Sequence, residues 1–443
     1  MTLSSVVFLI LFLGASVFFG IRIARIIRTI RMGLPDNRSD RPAERWKTTF
    51  RVALGQSKMV SRPVAGIFHI FIYVAFVITQ VELIEILVDG TGGSHRLFYP
   101  LLGGFYTFII SLIEVLSVLA LIATFIFLAR RNLIKLPRFT KSEMTGWPRL
   151  DGNIILYLEC LLVLFIFTMN GADEVLHLGG NSHAAGSGGF GFAVSSWLGP
   201  LVFGSLDTET LHLLERIGWW GHICVVLAFL CYLPFSKHLH ILWAFPNVYF
   251  SNLKPMGQFS NMESVTAEVK LMLDPNANPY AAQPTDGNAT PKRFGAKDVF
   301  DLPWTAILNA YTCTECGRCT SACPANITGK KLSPRKIMMD VRDRAEELSK
   351  LKRTKGDAAD DGKSLIRDYI TEEEIWACTS CNACVQECPV NIDPLAIIVD
   401  LRRYLVMEES KIPAELVTMA TNIENNQAPW QFSPADRVNW RNE

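Results

Sequence analysis

The sequence predicts an all-α protein: a five-span membrane bundle followed by a helical domain built round two cysteine motifs. Three observations predict it. Apolar runs of spanning length fill the chain as far as Phe245, eight of its eleven cysteines lie at or beyond Cys313, and those eight repeat one spacing twice. At 443 residues there is room for more than one core, and a net charge of +1 supplies no global field for nucleic acid or an acidic substrate.

A helix needs about 20 apolar residues to cross a bilayer. The candidates are Leu3–Ile21, Val64–Val81, Phe105–Leu128, Ile154–Met169 and Ile217–Phe235. No basic residue precedes the first, and Arg22, Arg25, Arg28 and Arg31 stand where a cleavage site would lie, so it reads as an uncleaved anchor. That arginine run is most simply a helix end snorkelling into headgroups, with a lipid-binding patch as the alternative.

Loop charges set the orientation. Eleven Lys or Arg residues lie between the first two spans, from Arg22 to Arg62. The second loop has only Arg96, the third has Arg130, Arg131, Lys135, Arg138, Lys141 and Arg149, and the fourth, Ala172 to Thr210, has none. This alternation places the N-terminus outside an inner (cytoplasmic) membrane and everything after Phe235 in the cytoplasm. The Gly- and Ser-rich stretch Gly179 to Gly191 is expected to form an irregular external cap. Cys160, Cys224 and Cys231 fall inside apolar helices, where cysteine packs as a small hydrophobe.

Histidine placement suggests haem. His69 lies near the cytoplasmic end of the second span, while His222 and His240 are 18 residues apart at the fifth. On one continuous helix that spacing is about five turns and about 27 Å, which puts both rings on one face. His238 falls on the other side of the same wheel. His69 and His240 then sit at matching depth and form the expected axial pair of a haem b; interhelical hydrogen bonding is the plainer reading of any single intramembrane histidine. For an outer haem, His222 faces Thr79 rather than a second histidine on the second span. His95 is its best remaining partner, ahead of His177, His183 and His212. Glu82, Glu85, Glu114 and Glu159 are intramembrane carboxylates that either serve a quinone's protons or pair with polar neighbours such as Arg216.

The boundaries expected are 1–253 for the membrane domain, 254–300 for a linker and 301–443 for the soluble domain. The linker carries turn signals at Asp274-Pro275-Asn276, Asn278-Pro279 and Gln283 to Gly287. Beyond it stands Cys313-x2-Cys316-x2-Cys319-x3-Cys323-Pro324, repeated as Cys378-x2-Cys381-x2-Cys384-x3-Cys388-Pro389. This is the run of two-cluster [4Fe–4S] proteins, in which the fourth cysteine ligates the other cluster. One cube therefore takes Cys313, Cys316, Cys319 and Cys388, and the other takes Cys378, Cys381, Cys384 and Cys323. A zinc site needs four ligands but not two interleaved Cys-Pro motifs. Between and after the motifs, Arg335 to Leu351 (with Ser333 as N-cap), a segment into Trp376, and Pro394 to Glu409 carry helical periodicity.

The membrane half resembles the gamma subunit of respiratory nitrate reductase and the cytochrome b subunit of membrane heterodisulfide reductase. His69, His222 and the run Leu233-Pro-Phe-Ser-Lys-His-Leu-His240 carry that resemblance. The soluble half resembles the small iron–sulfur subunit of heterodisulfide reductase and other α-helical ferredoxin domains. The resemblance implies a cytochrome b-like bundle with haem b on His222 and His240. It also implies a separate subunit carrying a cysteine-rich CCG domain, with an electron-transfer flavoprotein as a candidate partner. The expected function is electron transfer between a cytoplasmic redox partner and membrane quinone (menaquinone) through two [4Fe–4S] clusters and haem b. A non-catalytic redox sensor or docking anchor is the rival.

Overall fold

The computed structural model describes residues 2–183, 188–275 and 293–442. Five helices are long and apolar enough to cross a membrane: α1 (Leu3–Ile30), α2 (Pro63–Gly92), α3 (Gly104–Asn132), α4 (Trp147–Leu178) and α5 (Thr208–Tyr232), the last extended by a 3-10 turn to Phe235. Each contains its expected span and outruns it, because capped ends let the helix continue beyond the apolar core. Thr2 accepts from the Ser5 amide at 3.2 Å and Asp207 from the Thr210 amide at 3.0 Å, while Pro63 opens α2. Leu3, Ile10, Val17, Phe105 and Phe108 stand exposed on the bundle surface, as a lipid solvent requires. α5 packs on α4 at Gly218, where a Cβ would meet the Met169 backbone nitrogen at 2.6 Å; only glycine allows so close a crossing.

The outer connections are tied down by buried charge. Arg96 reaches Asp173 (2.5 Å), Asn170 (2.7 Å) and Tyr106 (3.0 Å). Glu85 accepts from Tyr106 (2.6 Å) and the Phe98 amide (2.9 Å). Glu114 accepts from the Val194 and Ser195 amides at 2.8 and 3.0 Å, at the start of a short helix, Ser195–Phe203. Glu85 therefore anchors the connection before α3 and Glu114 the start of the short helix, while Glu174 holds the expected cap by accepting from the Phe190 (3.0 Å) and Gly191 (3.3 Å) amides. Within the expected cap, residues 184–187 lie outside the described residues.

The fifth span does not continue to His240. Pro234 supplies no amide hydrogen, and after the turn Leu233–Phe235 the chain is extended at Ser236 (φ −110°, ψ 150°), whose hydroxyl accepts from the His238 amide at 3.0 Å. A new helix, α6 (His240–Tyr249), starts there. The single helical wheel that set His222 and His240 on one face is therefore wrong, and His238 is not turned away from the bundle by it.

In the soluble half α7 (Trp304–Thr312), α8 (Pro334–Lys355) and α9 (Pro394–Met407) enclose a core of Ile307, Leu308, Ile337, Val341, Ala345, Ile398 and Leu401. Ser333 caps α8 by accepting from the Lys336 amide (3.4 Å). The helix leading into Trp376 is short, Glu372–Trp376, and is closed by a Thr371/Glu374 capping box. Among the described residues there is no β-strand.

The expected linker is only partly irregular. Glu263–Leu273 is helical, residues 276–292, with most of the turn signals, lie outside the described residues, and Ala296 and Val299 are already fully buried. Packing also crosses the expected boundaries. Ile26 and Ile30 of α1, with Leu233 and Leu239, join the same apolar core as α7 to α9. Leu34 pairs with Leu302 (2.9 Å) and Trp304 (3.0 Å) through the backbone, and Thr29 meets Ser349 at 2.7 Å.

Candidate metal centres

The two cysteine motifs fold into near copies of one loop. The residues flanking each second cysteine are left-handed: Glu315 (φ +54°) and Gly317 (+71°) in the first, Ser380 (+57°) and Asn382 (+60°) in the second. Left-handed residues in such turns aim successive amides into a concavity that favours anions, the usual cradle of an iron–sulfur cluster. Three of the four are not glycine, so both loops hold a conformation that L-residues seldom adopt. Each third cysteine lies in the first turn of a short helix, Cys319 in Arg318–Ala322 and Cys384 in Ala383–Glu387. Cys323 (ψ 118°) and Cys388 (ψ 123°) are then extended ahead of proline and leave their own loop.

The sulfurs gather accordingly. Cys313, Cys316, Cys319 and Cys388 line one small cavity, with Cys384 also on its wall. Cys323 lies near Cys378 and Cys384 of the second motif, as Cys388 lies near the first. Amides already point at sulfur: Ile392 donates to Cys388 (3.3 Å) and Ser380 to Cys378 (3.4 Å). Among the described residues no three His, Cys, Asp or Glu side chains close on one ion position. A cluster asks for something else, one thiolate to each of several irons around a cavity, and the first loop's four sulfurs suit that. Burial pushes the Cys313 thiol up to about 12 and that of Cys388 to about 11, so a metal that takes them as thiolates must displace protons.

Charged side chains of the membrane half reach both cysteine motifs and α8 beside them. Lys237, directly before His238, pairs with Glu315 at 2.6 Å, and Arg342 pairs with the same carboxylate at 2.9 Å. Against the opposing effect of burial, these two cations hold the Glu315 carboxyl below the usual carboxylate range. Lys58 donates to the Cys388 carbonyl (3.3 Å), Arg62 pairs with Glu387 (3.0 Å), and the fully buried Arg335 reaches Glu143 (2.8 Å) and the Arg138 carbonyl (2.6 Å). The second loop thus meets Lys58 and Arg62 at its Glu387–Cys388 end, while Arg402 of its own domain holds the carbonyls of Ile375 (2.8 Å) and Cys378, and its Cys381 is exposed.

The histidines divide into an inner pair and an outer group. The rings of His69 and His240 lie 6.4 Å apart, centre to centre. Two imidazoles bound in line to one iron, with metal–nitrogen bonds of about 2 Å and roughly 1.2 Å from nitrogen to ring centre, span about 6.4 Å. His240 Nδ1 is bonded to the Lys237 carbonyl at 3.1 Å, which fixes the tautomer and leaves Nε2 as a ligand. His69 Nδ1 is buried without a partner. These two residues fit a haem iron.

His222 is placed differently. Its Nδ1 meets the Leu162 carbonyl (3.2 Å), and no histidine stands opposite it on α2, where Thr79 bonds to its own helix at Phe76 (3.2 Å). The structure does not bring His95 to it. Both ring nitrogens of His95 are engaged, by Asp173 (3.0 Å) and by Arg216 (3.2 Å), which lies six residues, or about 9 Å of helix, further out than His222. His183 and His212 pack on each other in the same outer group, 4.8 Å apart. His238, ranked below the others on the helical wheel, lies 5.4 Å from His240 and faces an intramembrane cavity. No sequence signal short of the break at Ser236 points to it.

Residues 312–392 match the family described as the 4Fe-4S dicluster domain. Over 99% of its length the chain is 28% identical to a probable iron-sulfur-binding oxidoreductase, FadF, of Bacillus subtilis, covering 61% of that protein. Over 92% it is 27% identical to the EtfAB:quinone oxidoreductase of Syntrophomonas wolfei, covering 55%. A third of it is 32% identical to 24% of a probable membrane-anchored ferredoxin of Chromohalobacter salexigens. The chain thus spans about three fifths of the length of the first two of these relatives. No solved structure matches it. Five apolar helices and the matched domain together make this a multi-pass membrane protein with a 4Fe–4S dicluster domain.

Proposed function

We propose that the chain carries electrons between a cytoplasmic redox partner and membrane quinone. The route runs through a cluster on Cys378, Cys381, Cys384 and Cys323, a cluster on Cys313, Cys316, Cys319 and Cys388, and a haem b held by His69 and His240. When bound, the haem supplies a one-electron couple between the clusters and the bilayer. The chain's own residues do the positioning. One observation carries the reading: Lys237 pairs through its ammonium with Glu315 in the first cysteine loop and accepts His240 Nδ1–H at its carbonyl. A single residue thus spans from a cluster loop to the haem ligand. Cys381, exposed on the second loop, offers the entry point. The name of one relative, an EtfAB:quinone oxidoreductase, supports quinone as one terminus and an electron-transfer flavoprotein as the other. A CCG-type iron–sulfur subunit is the further redox partner in this reading. The basic inner loops support an inner (cytoplasmic) membrane location with the N-terminus outside.

Purified full-length protein tests this. A pyridine haemochrome and an iron assay are expected to give about one haem and about eight irons per chain. Added quinol should reduce the haem, and the haem should exchange electrons with the clusters. A protein with full iron and no b-type spectrum would overturn the route. Clusters that change state without passing electrons to haem would mark a redox sensor instead.

A further inference from the structure

The intramembrane helices enclose a cavity of about 260 Å³ between α2, α4 and α5. Its walls are largely apolar, with Ile72, Phe76, Leu83, Ile166, Val226 and Phe229 among them. An apolar cavity of about 150 Å³ takes a benzene ring, so this one has room for a larger ring. Into it project Glu82, Glu159, His222 and His238. Glu82 is 2% exposed, and neither of its carboxylate oxygens has a hydrogen-bond partner. Asn170, beside it, gives its amide to Glu114 (3.2 Å). A buried carboxyl group without a partner costs free energy that something must offset. Opposite, the Leu162 carbonyl holds a proton on His222 Nδ1 and leaves Nε2 as an acceptor.

We propose that this cavity is the binding site of a quinone head group, with Glu82 and His222 as its polar contacts. The proposal rests on the electron route above and names where that route meets its membrane substrate. A quinol hydroxyl donates to His222 Nε2. The Glu82 carboxyl accepts from the second hydroxyl, or donates to a carbonyl of the oxidised ring. A second haem is the competing occupant, but it needs two facing ligands and α2 offers no histidine opposite His222. The site also lies where electrons would arrive, since Ile72 follows His69 by three residues and His238 and Ile241 flank His240. Phe76, 43% exposed on the bundle surface, marks the side on which a hydrocarbon-dissolved ring would enter.

A photoreactive azidonaphthoquinone added to the full-length protein in nanodiscs tests the site by mass spectrometry, with no turnover required. Cross-links are expected on Ile72 to Leu83 and on His222 to Leu230, and excess naphthoquinol should remove them. Glu82→Leu and His222→Phe should each weaken binding roughly tenfold while haem and iron contents stay unchanged. Cross-links elsewhere on the bundle, undiminished binding in both variants, or two haems per chain with one lost in His222→Phe would overturn it. If labelling stays in the cavity while haem and clusters fail to exchange electrons, the site stands and the electron route falls.

Discussion

The two cysteine loops share a spacing and a backbone, yet they live in different surroundings. The first is enclosed: Cys313 and Cys323 are buried, and Lys237 and Arg62 of the membrane half reach its Glu315 (2.6 Å) and Ser321 (3.0 Å). The second meets Lys58 and Arg62 at its Glu387–Cys388 end, is held at its start by Arg402 from its own domain, and shows Cys381 at the surface. What differs is not the ligand set but who holds it. The same cradle is enclosed by one set of neighbours and left partly open by another, so a repeated motif acquires two unlike faces.

The strongest way to break this comparison is to remove a crossing cysteine. Cys388→Ser should abolish the cluster of the first loop and leave that of the second, taking iron from about eight to about four per chain. Cys323→Ser should do the reverse. Electron paramagnetic resonance of the reduced protein separates the two signals, and loss of the same-loop cluster in either variant would refute the crossing.

A smaller but still large effect is expected at the Lys237–Glu315 pair, whose side chains are 9% and 3% exposed. Lys237→Ala leaves a buried carboxylate with Arg342 as its remaining partner, and breaking one side of such a pair costs about 3–5 kcal/mol. Glu315→Gln removes negative charge beside the first cluster, so its midpoint potential should rise, whereas Lys237→Gln should lower it. Potentiometric titration checks both signs, and the second cluster should be indifferent to either change.

The glycine of the first loop sharpens the contrast further. Gly317→Ala adds a left-handed penalty of about 1–2 kcal/mol, and its Cβ would lie 2.5 Å from Arg335 Nη1. Asn382→Gly at the equivalent place should be close to neutral. Chelator-driven loss of iron ranks the two. The smallest effect is expected at Arg62, where the pair with Glu387 is about one third exposed on both sides. Arg62→Ala should shift stability by no more than about 1 kcal/mol, measured as thermal unfolding in detergent.

The sequence made part of this legible, and the physics says which part. Cysteine spacing is local information, so both loops and their interleaving could be read directly. Depth in a bilayer is also a one-dimensional property, which is why His69 and His240 could be matched although the helix carrying the second breaks at Ser236. Contacts between distant loops leave no such trace. The third loop gives the first cysteine loop the Glu143 carboxylate and the Arg138 carbonyl, both taken by Arg335. Nothing in a list of basic residues between spans says that Lys58 and Arg62 face a folded domain rather than lipid headgroups. His95 was similarly opaque, since its engagement by Asp173 and Arg216 joins three separate segments. Glu85 and Glu114 could not be told from Glu82 and Glu159 until the connecting segments showed which carboxylates they use.

The placement of Cys388 on the first cavity has a consequence for how the protein is made. While the ribosome is still short of residue 388, the first loop can offer three thiols and no fourth, and a cube assembled there would be left with an open corner. On the ligand sets proposed above, the second site gathers its four thiols when Cys384 emerges and the first only at Cys388, so both wait for the second motif. Delivery of iron and sulfide must wait for the far motif and then closes both loops together, so that the metal acts as a late stitch in biogenesis, set after the five helices already have their bilayer.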